Sequence, residues 1–137
     1  MVSAMAHAAV TTRDMEESLR FYTQALGLKP AFELNDPKDG SPMIVYLNVA
    51  KGQFVELFYN GKKENPFKSE NIGFNHLCFQ VEDIYQAVEQ VKRAGFAIDV
   101  EPKQGLDFNW QAWTTDPNGV RIELMQISPE SPHAPFM

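Results

Sequence analysis

Apolar residues in this chain alternate, then recur at helical spacing, then alternate again, and the whole order runs twice. In the second pass, His76 to Val81 reads as a strand, with Leu77, Phe79 and Val81 on one face and His76, Cys78 and Gln80 on the other. The matching stretch, Met5 to Thr12, places Ala8, Val10 and Thr12 on the apolar side and His7 on the opposite one. A helix is expected after each. Asp14 with Glu17, and Asp83 with Gln86, have the spacing of a capping box. Met15, Leu19, Tyr22 and Leu26 form the first apolar stripe, and Ile84, Val88 and Val91 the second. Gly27 and Gly95 stand where each helix needs a left-handed terminating residue.

Three strands are expected after each helix. The first set is Lys29–Leu34, Met43–Val49 and Gln53–Tyr59, with Asn35–Pro42 as a loop. The second is Phe96–Glu101, Trp110–Thr115 and Val120–Ile127, with a loop over Lys103–Trp110 and a turn at Asp116–Gly119. Asn60–Gly73 reads as a polar linker, and the proline-bearing tail Ser128–Met137 as irregular. The pattern is therefore two βαβββ units in an α+β chain.

The repeat carries chemistry at matching points. His7 is followed 49 residues later by Glu56, and His76 is followed 47 residues later by Glu123. Each glutamate sits between two apolar neighbours, Val55 and Leu57 or Ile122 and Leu124, so it points away from the helix-covered side. Each histidine faces the same way as its glutamate. A lone strand histidine is most often structural, but two at equivalent positions, each with its carboxylate, suggest a shared site. Two imidazoles and two carboxylates suit Zn, Ni, Co, Mn or Fe(II) rather than Ca. Phe54, Phe58 and Met125 share the glutamates' face and would form apolar walls. Trp110 and Trp113 differ in parity, so at most one joins them, and His133 has no counterpart in the first pass.

Composition narrows the partners. The net charge of −6 argues against a nucleic-acid binder, and Lys62, Lys63 and Lys68 form only a local cluster in the linker. The single cysteine, Cys78, excludes an intrachain disulfide, fits a reducing cytoplasm and reads as a small apolar strand residue. The first residues lack the pattern of a secretion signal, and no stretch approaches the ~20 apolar residues of a membrane span. A cytoplasmic protein acting on a small molecule is expected.

The landmarks resemble the vicinal oxygen chelate superfamily, which includes glyoxalase I, acyl-CoA epimerases, extradiol dioxygenases and antibiotic-resistance proteins. The likeness is carried by His7, by Asp14 with Ser18 to Tyr22, by Leu26-Gly27-Leu28 and by Glu56-Leu57. It continues in Asn75-His76-Leu77, Val81-Glu82-Asp83 and Asp116-Pro117-Asn118-Gly119 through Leu124. The resemblance implies one domain over residues 1–137, with module one at about 5–60, module two at about 74–127 and a tail at 128–137. It implies two βαβββ modules forming a curved mixed sheet around a metal, with His7, Glu56, His76 and Glu123 as ligands. Glyoxalase I is the most similar branch, and there an asparagine at the place of Asn60 helps hold glutathione. Thr11 stands where glutathione-using members carry an arginine, which leaves the thiol open.

The activity so implied is a metal-dependent lyase or isomerase, with Ni or Zn leading among the metals. It would convert a thiol hemithioacetal of methylglyoxal, or of a similar 2-oxoaldehyde, to a hydroxyacyl thioester. Proton transfer by Glu56 or Glu123 would pass through an enediolate stabilised by the metal. A dioxygenase using His7, His76 and Glu123, an acyl-CoA epimerase and a non-catalytic ligand-sequestering protein are the alternatives. Relatives with this fold generally form homodimers, some of which build each site from both chains.

Overall fold

The computed structural model describes Met1–Met137 in full and contains two four-stranded mixed sheets of identical connectivity. In the first, β1 (His7–Thr11) is followed by α1 (Met15–Arg20), then by β2 (Lys29–Asn35), β3 (Pro42–Ala50) and β4 (Gln53–Phe58). The strand order is β1-β4-β3-β2, with β1 parallel to β4 and the other neighbours antiparallel. In the second, β5 (Leu77–Gln80) precedes α2 (Ile84–Arg93), followed by β6 (Val100–Gln104), β7 (Trp110–Thr115) and β8 (Arg121–Gln126). Its order is β5-β8-β7-β6, again with the first strand parallel to the last. The parallel pairing puts the start of each module beside its end, which brings each histidine near its glutamate.

The inward faces of both sheets enter one apolar cluster. Val10, Val45, Leu47, Val55 and Leu57 come from the first sheet, and Leu77, Ala112, Ile122 and Leu124 from the second. Ile84, Val88 and Val91 of α2 fill the same core. Each such side chain contributes about 1.5–3 kcal/mol on burial. Because strand side chains alternate, burying Val55 and Leu57 commits Glu56 to the opposite face, and Ile122 with Leu124 does the same to Glu123.

The first helix departs from a regular stripe. After Arg20 it widens into a π turn over Phe21–Ala25, closed by Leu26 N–H to the Phe21 carbonyl at 3.1 Å. Ser18, Phe21, Tyr22 and Ala25 are buried, while Leu19 and Leu26 sit only partly inside. Asp14 caps the first helix by accepting from the Glu17 N–H at 3.1 Å, and Asp83 caps the second through Tyr85 and Gln86. Gly27 and Gly95 end the helical segments with φ of 77° and 86°, a backbone region that penalises a Cβ.

Two expectations need correction. Of the expected strand Phe96–Glu101 only Val100 and Glu101 are in the ladder; β6 begins at Val100 and runs to Gln104. Phe96 is drawn instead to Phe21, ring centroids 5.0 Å apart, and its other face carries the Arg20 guanidinium. The expected loop Lys103–Trp110 is therefore strand at both ends, with Gln104 opposite Trp110. The tail is also held. The buried Asn109 accepts from Ser128 N–H at 2.9 Å and donates toward His133 Nδ1 at 2.9 Å. A single 3-10 turn, Ala134–Phe136, follows.

The two modules are joined through the turn after β7. Asp116 Oδ2 accepts from the Tyr22 hydroxyl at 2.9 Å and from Asn118 Nδ2 at 3.0 Å. Its Oδ1 accepts from the backbone N–H groups of Asn118 and Val120 at 2.8 and 2.7 Å. Asn118 then donates to Ser18 Oγ and accepts from the Arg13 N–H. Burial, followed by the Asp116 charge and hydrogen bond, holds the Tyr22 hydroxyl well above its ordinary value. The folded chain thus keeps this proton more tightly than the unfolded chain, whose tyrosines titrate near ~10. The stabilisation is whole at neutral pH and is lost as pH rises above about 10. Urea titrations between pH 7 and 11 are expected to show a shallower alkaline loss in Tyr22→Phe. An unchanged slope would mean that Tyr22 ionises freely in the fold.

Candidate functional site

The structure forms two His–Glu pairs, one on the outward face of each sheet. On the first, Ala9 lies opposite Glu56 in the β1–β4 register, and His7 Nδ1 stands 3.3 Å from Glu56 Oε1. Glu56 is only 6% exposed, although it lies on the face away from the core. Tyr46, its cross-strand partner on β3, covers it; the Tyr46 ring stacks on Phe32 at 4.2 Å and meets the edge of Phe54. Hydrogen bonding to Glu56, with smaller effects of desolvation and charge, raises the Tyr46 hydroxyl above its usual value. Glu56 thus sits in an aromatic enclosure made by Phe32, Tyr46 and Phe54.

On the second sheet, His76 Nε2 lies 2.9 Å from Glu123 Oε2. The other ring nitrogen, Nδ1, is 2.7 Å from Asn75 Oδ1. That contact turns Nε2 toward the carboxylate, the arrangement by which a neighbouring oxygen orients a metal-binding imidazole. Trp113 lies opposite Glu123 on β7 and packs edge-on against His76, with ring centroids 4.8 Å apart. Of the two tryptophans it is the one on the glutamate's face, while Trp110 packs on the core side near Tyr85.

The remaining candidates fall unevenly. Phe54 and Phe58 share the Glu56 face by strand parity, and both are partly buried. Met125 shares the Glu123 face, and its sulfur receives Asn109 Nδ2 at 3.5 Å. Asn60 is exposed just beyond β4 with φ of 70°, at the rim rather than beside the carboxylate. His133 stands apart, with Asn109 and Asp107.

Donor type fits a divalent metal at both pairs, since each offers an imidazole nitrogen and a carboxylate oxygen within 3.3 Å of one another. No third His, Cys, Asp or Glu joins either pair to make a larger ligand group. Within one chain, His7 with Glu56 and His76 with Glu123 are therefore two half-sets.

Sequence reasoning passed over Tyr46 and Arg121, which border these pairs, and register parity with the glutamates was the signal that could have found them. Asn75, just before β5, carries no such signal. Cys78 needs correction, because it pairs with Glu123 in the β5–β8 register and is solvent-accessible rather than packed as a small apolar residue. Desolvation, then the Glu123 charge and hydrogen bond, push its thiol up to about 12. Solvent access discounts the desolvation part, so iodoacetamide at pH 8 is expected to alkylate Cys78 at least about tenfold slower than an unperturbed thiol. Labelling at the ordinary rate would show that Glu123 does not bear on it.

Comparison with known proteins agrees with this architecture. The model of the Glyoxalase/Bleomycin resistance protein/Dioxygenase superfamily matches residues 4–124. A probable lactoylglutathione lyase of Vibrio parahaemolyticus is 29% identical over 126 residues, covering 88% of each chain. An ethylmalonyl-CoA/methylmalonyl-CoA epimerase of Cereibacter sphaeroides is 28% identical, over 93% of this chain and 100% of its own. Among solved structures, a glyoxalase I mutant from Zea mays superposes with a TM-score of 0.77 at 26% identity. That match covers 90% of this chain and 45% of the maize protein. No helix here is long and apolar enough to cross a membrane.

Proposed function

The chain belongs to the Glyoxalase/Bleomycin resistance protein/Dioxygenase superfamily, and from that premise we propose a glyoxalase-I-like lyase. Its substrate would be the thiol hemithioacetal of methylglyoxal or of a related 2-oxoaldehyde, and its product a hydroxyacyl thioester. The observation that carries this reading is the recurrence of a converged His–Glu pair at the same place in both modules. We take residues 1–137 to act as one domain of two modules, working as a cytoplasmic homodimer.

In this proposal His7 and Glu56 of one protomer and His76 and Glu123 of its partner hold one divalent ion, with Ni or Zn leading. When bound, that ion would supply Lewis-acid stabilisation of the negative charge that develops on the substrate. The two half-sets that a single chain presents support dividing the site between protomers. One glutamate takes the proton from the carbon beside the carbonyl and returns it to the neighbouring carbon. Asn75 orients the His76 ring, and Phe54 and Phe58 exclude water from the first-module side. Met125 does so from the second-module side, and Asn60 at the rim would contact the thiol portion.

An acyl-CoA epimerase is the second reading, favoured by the full-length likeness to the Cereibacter protein. It needs the same proton removal beside a carbonyl, so the two differ in substrate rather than in site. The deciding experiment loads the purified protein with Ni or Zn and presents methylglyoxal with glutathione, bacillithiol or another thiol, in parallel with methylmalonyl-CoA. Thioester formation from a hemithioacetal supports the lyase. Epimerisation alone would move the assignment, and neither activity with any metal restored would overturn it.

A further inference from the structure

We propose that Arg121 is the specificity-determining anchor for an oxyanion on the substrate's non-reacting tail. This rests on the reading of the His76–Glu123 face as part of a catalytic site. Arg121 opens β8 two residues before Glu123, so both side chains leave the same face, separated by about 7 Å of strand. Its guanidinium lies 4.4 Å over the Phe67 ring of the linker and 4.5 Å over the Trp113 ring. Nη1 donates to Asn75 Oδ1 at 3.3 Å, the oxygen that also holds His76. The cation is thereby fixed in orientation relative to the imidazole.

What it lacks is an anion. Arg13 pairs with Glu64, and Lys92 with Glu89 and Glu101, but no carboxylate lies within ion-pair distance of Arg121. In a chain of net charge −6 such a partner would be easy to supply. The N–H donors other than Nη1 have no protein acceptor, and a planar fork with free donors suits bidentate capture of a carboxylate or phosphate.

The space beside it has the matching sign. A cleft of about 680 Å³ runs between β1, the linker and the turn before β8, and its only charged lining residues are Lys63, Lys68 and Arg121. Ala9 and Thr11, from the face that carries His7, line the same cleft. Thr11 contributes no charge there, so Arg121 is the aromatically held cation available to a tail lying in it.

Two sources of the oxyanion are separable: the carboxylates of a peptide thiol and the phosphates of a coenzyme A. Calorimetric titration of the full-length protein would use S-hexylglutathione against its diethyl ester, and propionyl-CoA against propionyl-pantetheine. The wild type is expected to bind the charged member of one pair at least tenfold tighter than the neutral member. Arg121→Met should erase that preference while leaving the neutral ligand's affinity unchanged. Arg121→Lys, which keeps charge but loses the fork and stacking, should retain part of it and guards against a folding defect in the first variant. The pair that responds identifies the source. A charge preference that survives in Arg121→Met, or its absence from the wild type for both pairs, overturns the proposal. Metal uptake by the same wild-type sample, read by mass spectrometry, tests the underlying site independently, so protein that loads metal without charge preference refutes the anchor alone.

Discussion

Glu56→Gln and Glu123→Gln are each expected to lower turnover of the hemithioacetal by about 10²–10⁴, the usual cost of losing a general base in carbon-acid chemistry. Glutamine keeps the shape of glutamate, so the aromatic enclosure around Glu56 and the Trp113 contact with His76 should remain. The two variants should differ in their response to added metal. A glutamate that only ligates leaves a weakened site, which excess Ni or Zn refills with recovery of activity. A glutamate that moves the proton leaves a defect that no metal concentration repairs. Turnover measured across a metal titration therefore assigns the base. Activity within a few fold of wild type in both variants would remove both carboxylates from the chemistry.

Asp116→Ala is expected to destabilise the protein by about 3–5 kcal/mol, the range for removing one partner from a buried, charge-assisted network. Asp116 is 4% exposed and accepts from the Tyr22 hydroxyl, the Asn118 side chain, and the backbone N–H groups of Asn118 and Val120. Removing it leaves the Tyr22 hydroxyl and two N–H groups without their acceptor and loosens the contact between the modules. Asp116→Asn, which keeps some acceptor capacity, should cost less. Urea denaturation of the three proteins at pH 7 measures this. A loss below about 1 kcal/mol in Asp116→Ala would mean that water satisfies the turn and the junction lies elsewhere.

Much of this architecture was legible because strand alternation and helix capping are local. Val55 and Leu57 declare the inward face of β4, and Glu56 follows by parity. Asp14 and Asp83 mark the helix starts by a side chain reaching a backbone N–H within three residues. The misplacements arose where distant contacts decide. Phe96 lies in a stretch with strand character, yet the Phe21 edge and the Arg20 cation take it out of the ladder. The first helix buries Ser18 and Ala25 rather than the larger Leu19 and Leu26, a choice that apolarity alone does not signal. Asn109 looked like a loop residue, but its side chain ties the tail to the second sheet.

The site was legible in kind more than in assembly. Repeat position singled out His7, Glu56, His76 and Glu123 as candidates, and each histidine stands beside its glutamate. Sequence spacing carries no information on whether two halves meet within a chain, because that depends on how the sheets pack. Two side chains that tune the pairs were also hidden, since Tyr46 and Asn75 matter only through register and rotamer.

Mixing two variants shows whether each site takes one His–Glu pair from each of two chains. One carries His7→Ala with Glu56→Gln, the other His76→Ala with Glu123→Gln, and each alone should retain no metal. Unfolding and refolding them together makes mixed dimers in which one of the two sites has all four ligands intact. Metal is expected to reappear at about one ion per mixed dimer, measured by mass spectrometry of the separated species. Mixed dimers that form but stay free of metal would contradict it and confine each site to a single chain.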